Sequence, residues 1–200
     1  MSIVRDVETL EQIYGTPGKA SIIKVAHQLT PTYRAWIMAS RLAMLSTVGP
    51  EGTDCSPRGD DGPVVKEQDE KTLLLPDWRG NNRMDSLRNI VRDGRVSLMF
   101  LVPGSNNVVR VNGTAVVSIA DEHLSQFAAQ GRRPRSVLVI TIDEVYSQCA
   151  RALMRAKTWS SADESATLPT VGQMLAEMED GFDGKSYDAA WGDRAAKTMW

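Results

Sequence analysis

From Leu42 to Ile142 the chain strings short apolar runs between hairpin-type turns, and a single helical pattern is set among the early ones. The runs are Leu42–Val48, its return Thr53–Pro57 after the turn Gly49-Pro50-Glu51-Gly52, then Leu73–Leu75, Val96–Val102, Val108–Ile119 and Val137–Ile142. A parallel βαβ series needs a crossover helix after each strand, and one helix cannot supply it. Five or six strands joined mostly by hairpins instead predict an antiparallel barrel with helices at its periphery. Gly113 inside the Val108–Ile119 run marks a bulge or a close backbone approach.

Helical spacing dominates the flanks. Val7, Leu10, Ile13 and Tyr14 share one face before Gly15-Thr16-Pro17-Gly18 breaks the pattern. A second helix is expected over Ala20–Gln28, and Thr30-Pro31 opens a third to about Ser40, with proline at the first helical position. Further helices are read over Asp121–Ala129, over Cys149 to about Lys157, and through Val171, Met174, Leu175 and Met178, followed by a tail containing Trp191 and Trp200. The organisation is one domain in three parts: a helical segment 1–41, a barrel 42–160 and a helical extension 161–200.

At 200 residues such a chain buries about 70% of its unfolded surface and needs neither disulfide nor metal to hold together. A net charge of −2 and a pI near 5.7 argue against a nucleic-acid surface. Two cysteines, Cys55 and Cys149, without CxxC or Cys/His spacing fit a reducing compartment and offer no zinc site. The start MSIVRDVETLEQIYG is too charged for a signal peptide, and no apolar run is long enough to span a membrane. The expectation is a cytoplasmic protein.

The most informative segment for function is Leu73–Ile90, LLLPDWRGNNRMDSLRNI. An apolar strand stops at Pro76-Asp77, a turn carries Arg79, Gly80, Asn81, Asn82 and Arg83, and a helix follows through Met84, Leu87, Ile90 and Val91. The first amides of a helix point outward unsatisfied, its dipole favours an anion, and arginine adds a two-pronged donor. This turn is therefore a candidate phosphate site. The same residues also suit a plainer use, with Asn81 or Asn82 capping the helix, Asp85 complementing its dipole, and Arg79, Arg83 and Arg88 solvated.

Two other segments carry the right chemistry. Cys55-Ser56-Pro57-Arg58-Gly59-Asp60-Asp61-Gly62 brings a hydroxyl, an arginine and glycine to a strand end, suited to a phosphate or a heterocycle edge, or to an acidic surface turn. Arg151 and Arg155 share a helical face that Trp159 extends, for stacking on a ring system or a cation–π contact with Arg155, or as a basic solvated helix whose tryptophan closes the core. No Ser/His/Asp or Cys/His set can be assembled, since His27 and His123 lie in helical segments far from these loops. A phosphate site without acid–base side chains implies that a cofactor carries the chemistry.

Taken in order, SPRG, LLLPDWRGNNRMDSLRNI, RVSLMFLVPG, RVNGTA, CARALMRAKTW and LPTVGQMLAE resemble the FMN-binding split-barrel proteins. Among these they are similar to the pyridoxamine 5′-phosphate oxidase-like group of FMN-dependent enzymes, over roughly Leu42 to the C-terminus. The resemblance implies a mainly β, six-stranded antiparallel Greek-key split barrel with peripheral helices. It further implies a homodimer holding FMN at the subunit interface. The FMN phosphate would fall to the turn of Arg79, Asn81, Asn82 and Arg83, with Ser86 behind it. Ser56, Arg58 and Gly59 would run beside the flavin, Pro76 and Asp77 would line its ring edge, and Arg155 and Trp159 would come from the partner chain. The implied activity is an FMN-dependent oxidoreductase exchanging hydride between flavin N5 and a small organic substrate, with NADH or NADPH a candidate electron donor. The alternatives are a protein that binds FMN without turnover, or one that takes a deazaflavin. Pyridoxine phosphate oxidases hold their substrate with an arginine and a histidine near the C-terminus, and no histidine follows His123 here. The resemblance therefore leaves the substrate open.

Overall fold

The computed structural model describes residues 3–128 and 131–199. Its centre is one antiparallel sheet of seven strands: β1 Leu42–Gly49, β2 Gly52–Gly59, β3 Lys66–Asp69, β4 Thr72–Asp77, β5 Arg95–Leu101, β6 Val108–Ser118 and β7 Ser136–Gln148. They lie in the order β2-β1-β5-β6-β7-β4-β3. The strand absent from the sequence reading is β3, whose Lys66-Glu67-Gln68-Asp69 has no apolar alternation. It sits at the sheet edge, where charge discourages further pairing.

The sheet curls. β2 and β4 are separated in the sheet by four strands, yet Arg58 of β2 donates to Asp77 of β4 at 2.5 Å. That contact closes the barrel across its split and fixes where a cleft can form. Inside, Ala43 and Leu45 of β1, Leu98 and Phe100 of β5, Val109 and Val111 of β6, and Leu138 and Ile140 of β7 build the core. In β4 the apolar residues are consecutive because both faces are covered. Leu73 and Leu75 enter the barrel core, while Leu74 packs with Leu124, Phe127 and Val137 outside it.

Two glycines are required by close approach. β6 shifts register between Asn112 and Gly113, and a Cβ on Gly113 would stand 2.0 Å from the Thr141 carbonyl oxygen. A Cβ on Gly49 would stand 2.2 Å from Asn89 Oδ1, the side chain that pins the helix α4 (Asp85–Arg92; the fourth in chain order) to Thr47 at 3.1 Å. The preceding helices are α1 Val7–Tyr14, α2 Lys19–Ile23 and α3 Pro31–Met38. After α4 come α5 Asp121–Leu124, α6 Arg151–Arg155, α7 Val171–Met178, α8 Gly184–Ala189 and α9 Trp191–Thr198.

Several boundaries move for tertiary reasons. The helix expected over Ala20–Gln28 stops at Ile23, because the backbone of Ala26 bridges to Val145 of β7. The third helix ends at Met38, and Ser40 instead donates to the Leu101 carbonyl at 2.6 Å. β2 continues past Pro57 to Gly59, and β7 runs well beyond Ile142. β4 does not stop at Pro76-Asp77 but includes both, since β3 reaches only as far as Lys66 opposite Leu74 and the proline beyond it occupies an edge position. After α5 a 3₁₀ turn covers Ser125–Phe127, and the expected end at Ala129 lies outside the described residues. The helix read over Cys149–Lys157 is only α6. The tail forms α8 and α9, with Trp200 also outside the described residues. Among the described residues no helix is long and apolar enough to cross a membrane.

Candidate cofactor site

A cleft of about 680 Å³ opens at the barrel split, between β2, the end of β4 and the start of α4. Strand alternation sets one wall: Asp54, Ser56 and Arg58 are half-buried while Thr53, Cys55, Pro57 and Gly59 are exposed. The end of β4 brings Pro76 and Asp77 to the opposite side, and the turn Trp78–Met84 with Asp85, Ser86 and Leu87 closes one end. Arg135 and Ser136 enter from the start of β7, and Met199 reaches the mouth from beyond α9.

The turn is built from its own side chains. Asn82 takes a left-handed backbone, φ 62°, a conformation that asparagine adopts more readily than most residues. Asn81 Oδ1 accepts from the Arg83 amide at 3.0 Å, and Arg83 Nε donates to Asp85 at 2.5 Å. That hydrogen bond raises the Arg83 guanidinium above its usual value. Arg135 donates to Asn82 Oδ1 at 2.5 Å. The plainer capping use does not hold: the N-cap of α4 is Met84, which offers no side-chain acceptor. The first amides of α4 are therefore left for another acceptor.

Along the β2 wall, Ser86 donates to Asp54, and the hydroxyls of Ser56 and Ser86 are 3.0 Å apart. Trp78 Nε1 donates to Asp60 at 3.0 Å and fixes the start of the turn against the end of β2. Arg58 spends one terminal nitrogen on Asp77, but its Nε is buried and has no hydrogen-bond partner among the described residues. A buried donor without an acceptor costs roughly 1–3 kcal/mol. Arg79 makes no ion pair among the described residues. Four arginines, Arg58, Arg79, Arg83 and Arg135, face three aspartates, Asp54, Asp77 and Asp85, so the lining favours an anionic guest.

Ten residues singled out in the sequence meet in this cleft: Ser56, Arg58, Gly59, Pro76, Asp77, Arg79, Asn81, Asn82, Arg83 and Ser86. Arg155 and Trp159 do not line it in the same chain. Arg155 closes α6 in solvent, and Trp159 Nε1 donates to the Ser105 carbonyl at 2.7 Å in the β5–β6 turn. Asp54 and Arg135 were missed. Asp54 stands two residues before Ser56 on the same strand face, a signal the alternation carries. Arg135 has no local signal, because only the pairing of β7 with β4 brings it to Asn82. His27, bonded to the Asp143 carbonyl at 2.8 Å, and His123, bonded to Ser118 at 2.7 Å, both lie outside the cleft.

A curled antiparallel sheet with a donor-rich cleft at its split defines a split-barrel class, and comparison with known proteins supplies the family. The pyridoxamine 5′-phosphate oxidase family model matches residues 29–149, more than half of the chain. The chain belongs to that family. No curated protein matches it. Among solved structures it is similar to HupZ of Group A Streptococcus, with 18% identity over 60% of this chain and 98% of that one, at a TM-score of 0.50. It is also similar to a pyridoxamine 5′-phosphate oxidase-like protein of Lactobacillus delbrueckii (22% identity, 60% and 95% covered, TM-score 0.48). An FMN-binding protein of Syntrophomonas wolfei is similar at 14% identity, with 72% and 97% covered and a TM-score of 0.43. At 18% identity the likeness to HupZ shows the fold alone.

Proposed function

We propose that the cleft binds FMN and that the protein is an FMN-dependent oxidoreductase acting on a small organic substrate. One observation carries the reading: the cleft holds donors that the chain itself leaves without acceptors, namely Arg58 Nε and the uncapped amides of α4. The donor set fits the cofactor. Arg83, Asn82, Ser86 and the α4 amides take the phosphate, with Arg79 and Arg135 at its margin. Arg58 Nε, Ser56 and Asp54 address the polyol and the polar ring edge, where Asp54 accepts from hydroxyls. Gly59, Pro76 and Asp77 flank the ring.

When bound, the flavin supplies hydride exchange at N5. The chain's own residues bind it, orient it and exclude water beside Leu75 and Val64, both buried in the cleft wall. No histidine lines the cleft, so no side chain of the described set is assigned a nucleophilic or general-base role.

The proposal extends to a homodimer in which a second copy contributes Arg155 and Trp159. Two features support it. The Trp159 bond to Ser105 gives that segment a defined seat on its own barrel. On α1, Val7, Leu10, Ile13 and Tyr14 form an exposed apolar stripe that nothing among the described residues covers. The lack of a histidine in the cleft favours a second reading, a carrier that binds FMN or a deazaflavin without turnover. Anaerobic addition of NADH or NADPH separates the two: bleaching of bound flavin, reversed by air or an acceptor, supports the enzyme, and an unchanged spectrum supports the carrier. A cytoplasmic location, where nicotinamide donors are available, belongs to the same proposal.

A further inference from the structure

The N-terminal segment builds a second cavity, of about 450 Å³, that shares no lining residue with the first. It arises because α3 is laid across β6 and β7, with Ala20 and Ser21 of α2 also lining the space. Ala26 exchanges two backbone hydrogen bonds with Val145, at 3.0 and 2.7 Å. The Tyr33 hydroxyl donates to the Lys24 carbonyl at 2.6 Å and accepts from the Ser147 amide at 3.3 Å. These bonds hold a pocket open between helix and sheet.

Its chemistry differs from that of the flavin cleft. Tyr33 and Trp36, three apart and so on one face of α3, present two aromatic rings, over a floor that includes the buried Val108 and Val109. The Tyr33 hydroxyl is committed to the backbone bonds above, so only its ring is offered to a guest. Among the described residues Lys24 is the only charged one in the lining, and no aspartate or glutamate accompanies it. Among the described residues Lys24 has no ion pair, and its ammonium stands 5.5 Å from the Tyr146 ring centroid. The side-chain amides of Asn107 and Gln148 and the indole N–H of Trp36 make no hydrogen bond among the described residues.

We propose that this cavity binds a small aromatic monocarboxylate. The ring lies against Tyr33 and Trp36, where stacked aromatic pairs gain beyond simple area burial. The carboxylate meets Lys24, with Asn107, Gln148 and the Trp36 N–H as neutral donors. One cation with amides suits a single negative charge. A phosphate dianion draws several charge-assisted donors, which the first cleft offers and this one lacks. The volume falls within the ordinary range for small-molecule sites, roughly 300–1,000 Å³. The inference does not depend on the flavin reading, because the two sites share no residue.

The test is calorimetric titration of the full chain with benzoate, alongside cyclohexanecarboxylate, benzamide and phenyl phosphate. The expected result is benzoate binding in the millimolar range or tighter, with the three comparison compounds each weaker. Lys24→Met weakens benzoate by about tenfold or more, the loss of one charge-assisted hydrogen bond, and leaves the melting temperature and any flavin content unchanged. If Lys24→Met lowers the melting temperature, Gln148→Leu carries the test with the same expected direction. Absence of benzoate binding overturns the proposal, including the case in which a second copy of the chain covers the cavity. Equal binding of benzamide, or full affinity in Lys24→Met, overturns it as well.

Discussion

Arg58 offers the sharpest separation between what stabilises the barrel and what binds the ligand. Its side chain is 20% exposed and that of its partner Asp77 17%. Arg58→Met removes the guanidinium and strands the aspartate. Breaking a fully buried ion pair costs about 3–5 kcal/mol. With about a fifth of each side chain in water, solvent screening reduces this to roughly 2–3 kcal/mol. For a chain of this length that lowers the melting temperature by about 4–12 °C. Ligand binding responds separately, because Arg58 Nε is the donor left without an acceptor. Losing one hydrogen bond from a charged group costs about 1.5–3 kcal/mol, or roughly 10- to 150-fold in the FMN Kd. The double variant Arg58→Met/Asp77→Leu removes the stranded carboxylate and restores most of the thermal stability, since apolar replacements of a buried pair are often neutral. Its FMN affinity stays low. Thermal melts and FMN titration by flavin fluorescence quenching measure both quantities. Recovery of wild-type FMN affinity together with stability in the double variant would refute the assignment of Arg58 Nε to the ligand.

Further outcomes follow from the same geometry. Arg83→Ala weakens FMN on the order of tenfold yet leaves the melting temperature unchanged, because that side chain is 80% exposed. Arg95→Ala, which breaks a comparable exposed pair with Asp93 outside the cleft, leaves FMN affinity unchanged and is the control. Gly113→Ala drives a methyl into the Thr141 carbonyl and destabilises by about 1–3 kcal/mol, read as a lower urea midpoint. Acid weakens the C-terminal helices in a defined window. The Ser186 hydroxyl and amide hold the Asp183 carboxyl below its usual 3.8, so its contribution is complete above that value and is lost as pH falls through the lower folded one. In Asp183→Ala the fall in helical circular dichroism as pH drops below 3.8 becomes shallower.

Much of the barrel was legible because hairpin turns and apolar runs are local signals. β1, β5 and β6 fall within a residue of their expected limits at each end. β3 was not, because Lys66–Asp69 owes its pairing to the preformed edge of β4 rather than to any pattern of its own. Helix ends moved wherever a distant partner claimed the backbone, as Val145 claims Ala26. The site was legible to the extent that it is local: Asn81 to Ser86 form one turn and one helix start, and Ser56 to Gly59 one strand end. What joins them is the Arg58–Asp77 contact across the split, together with Arg135 arriving from β7. Those depend on curvature and strand order, which no short window encodes. Conversely, the strand stop read at Pro76-Asp77 was misplaced because proline is permitted where β4 has no β3 residue opposite it.

The central claim, that the cleft at the barrel split holds FMN, is tested most directly by the visible absorption spectrum of the purified protein, with the released chromophore identified by mass. The account predicts a flavin spectrum, or its appearance on adding FMN, with FMN as the chromophore and roughly 10- to 150-fold weaker binding in Arg58→Met/Asp77→Leu. A colourless protein that fails to take up added FMN would contradict it.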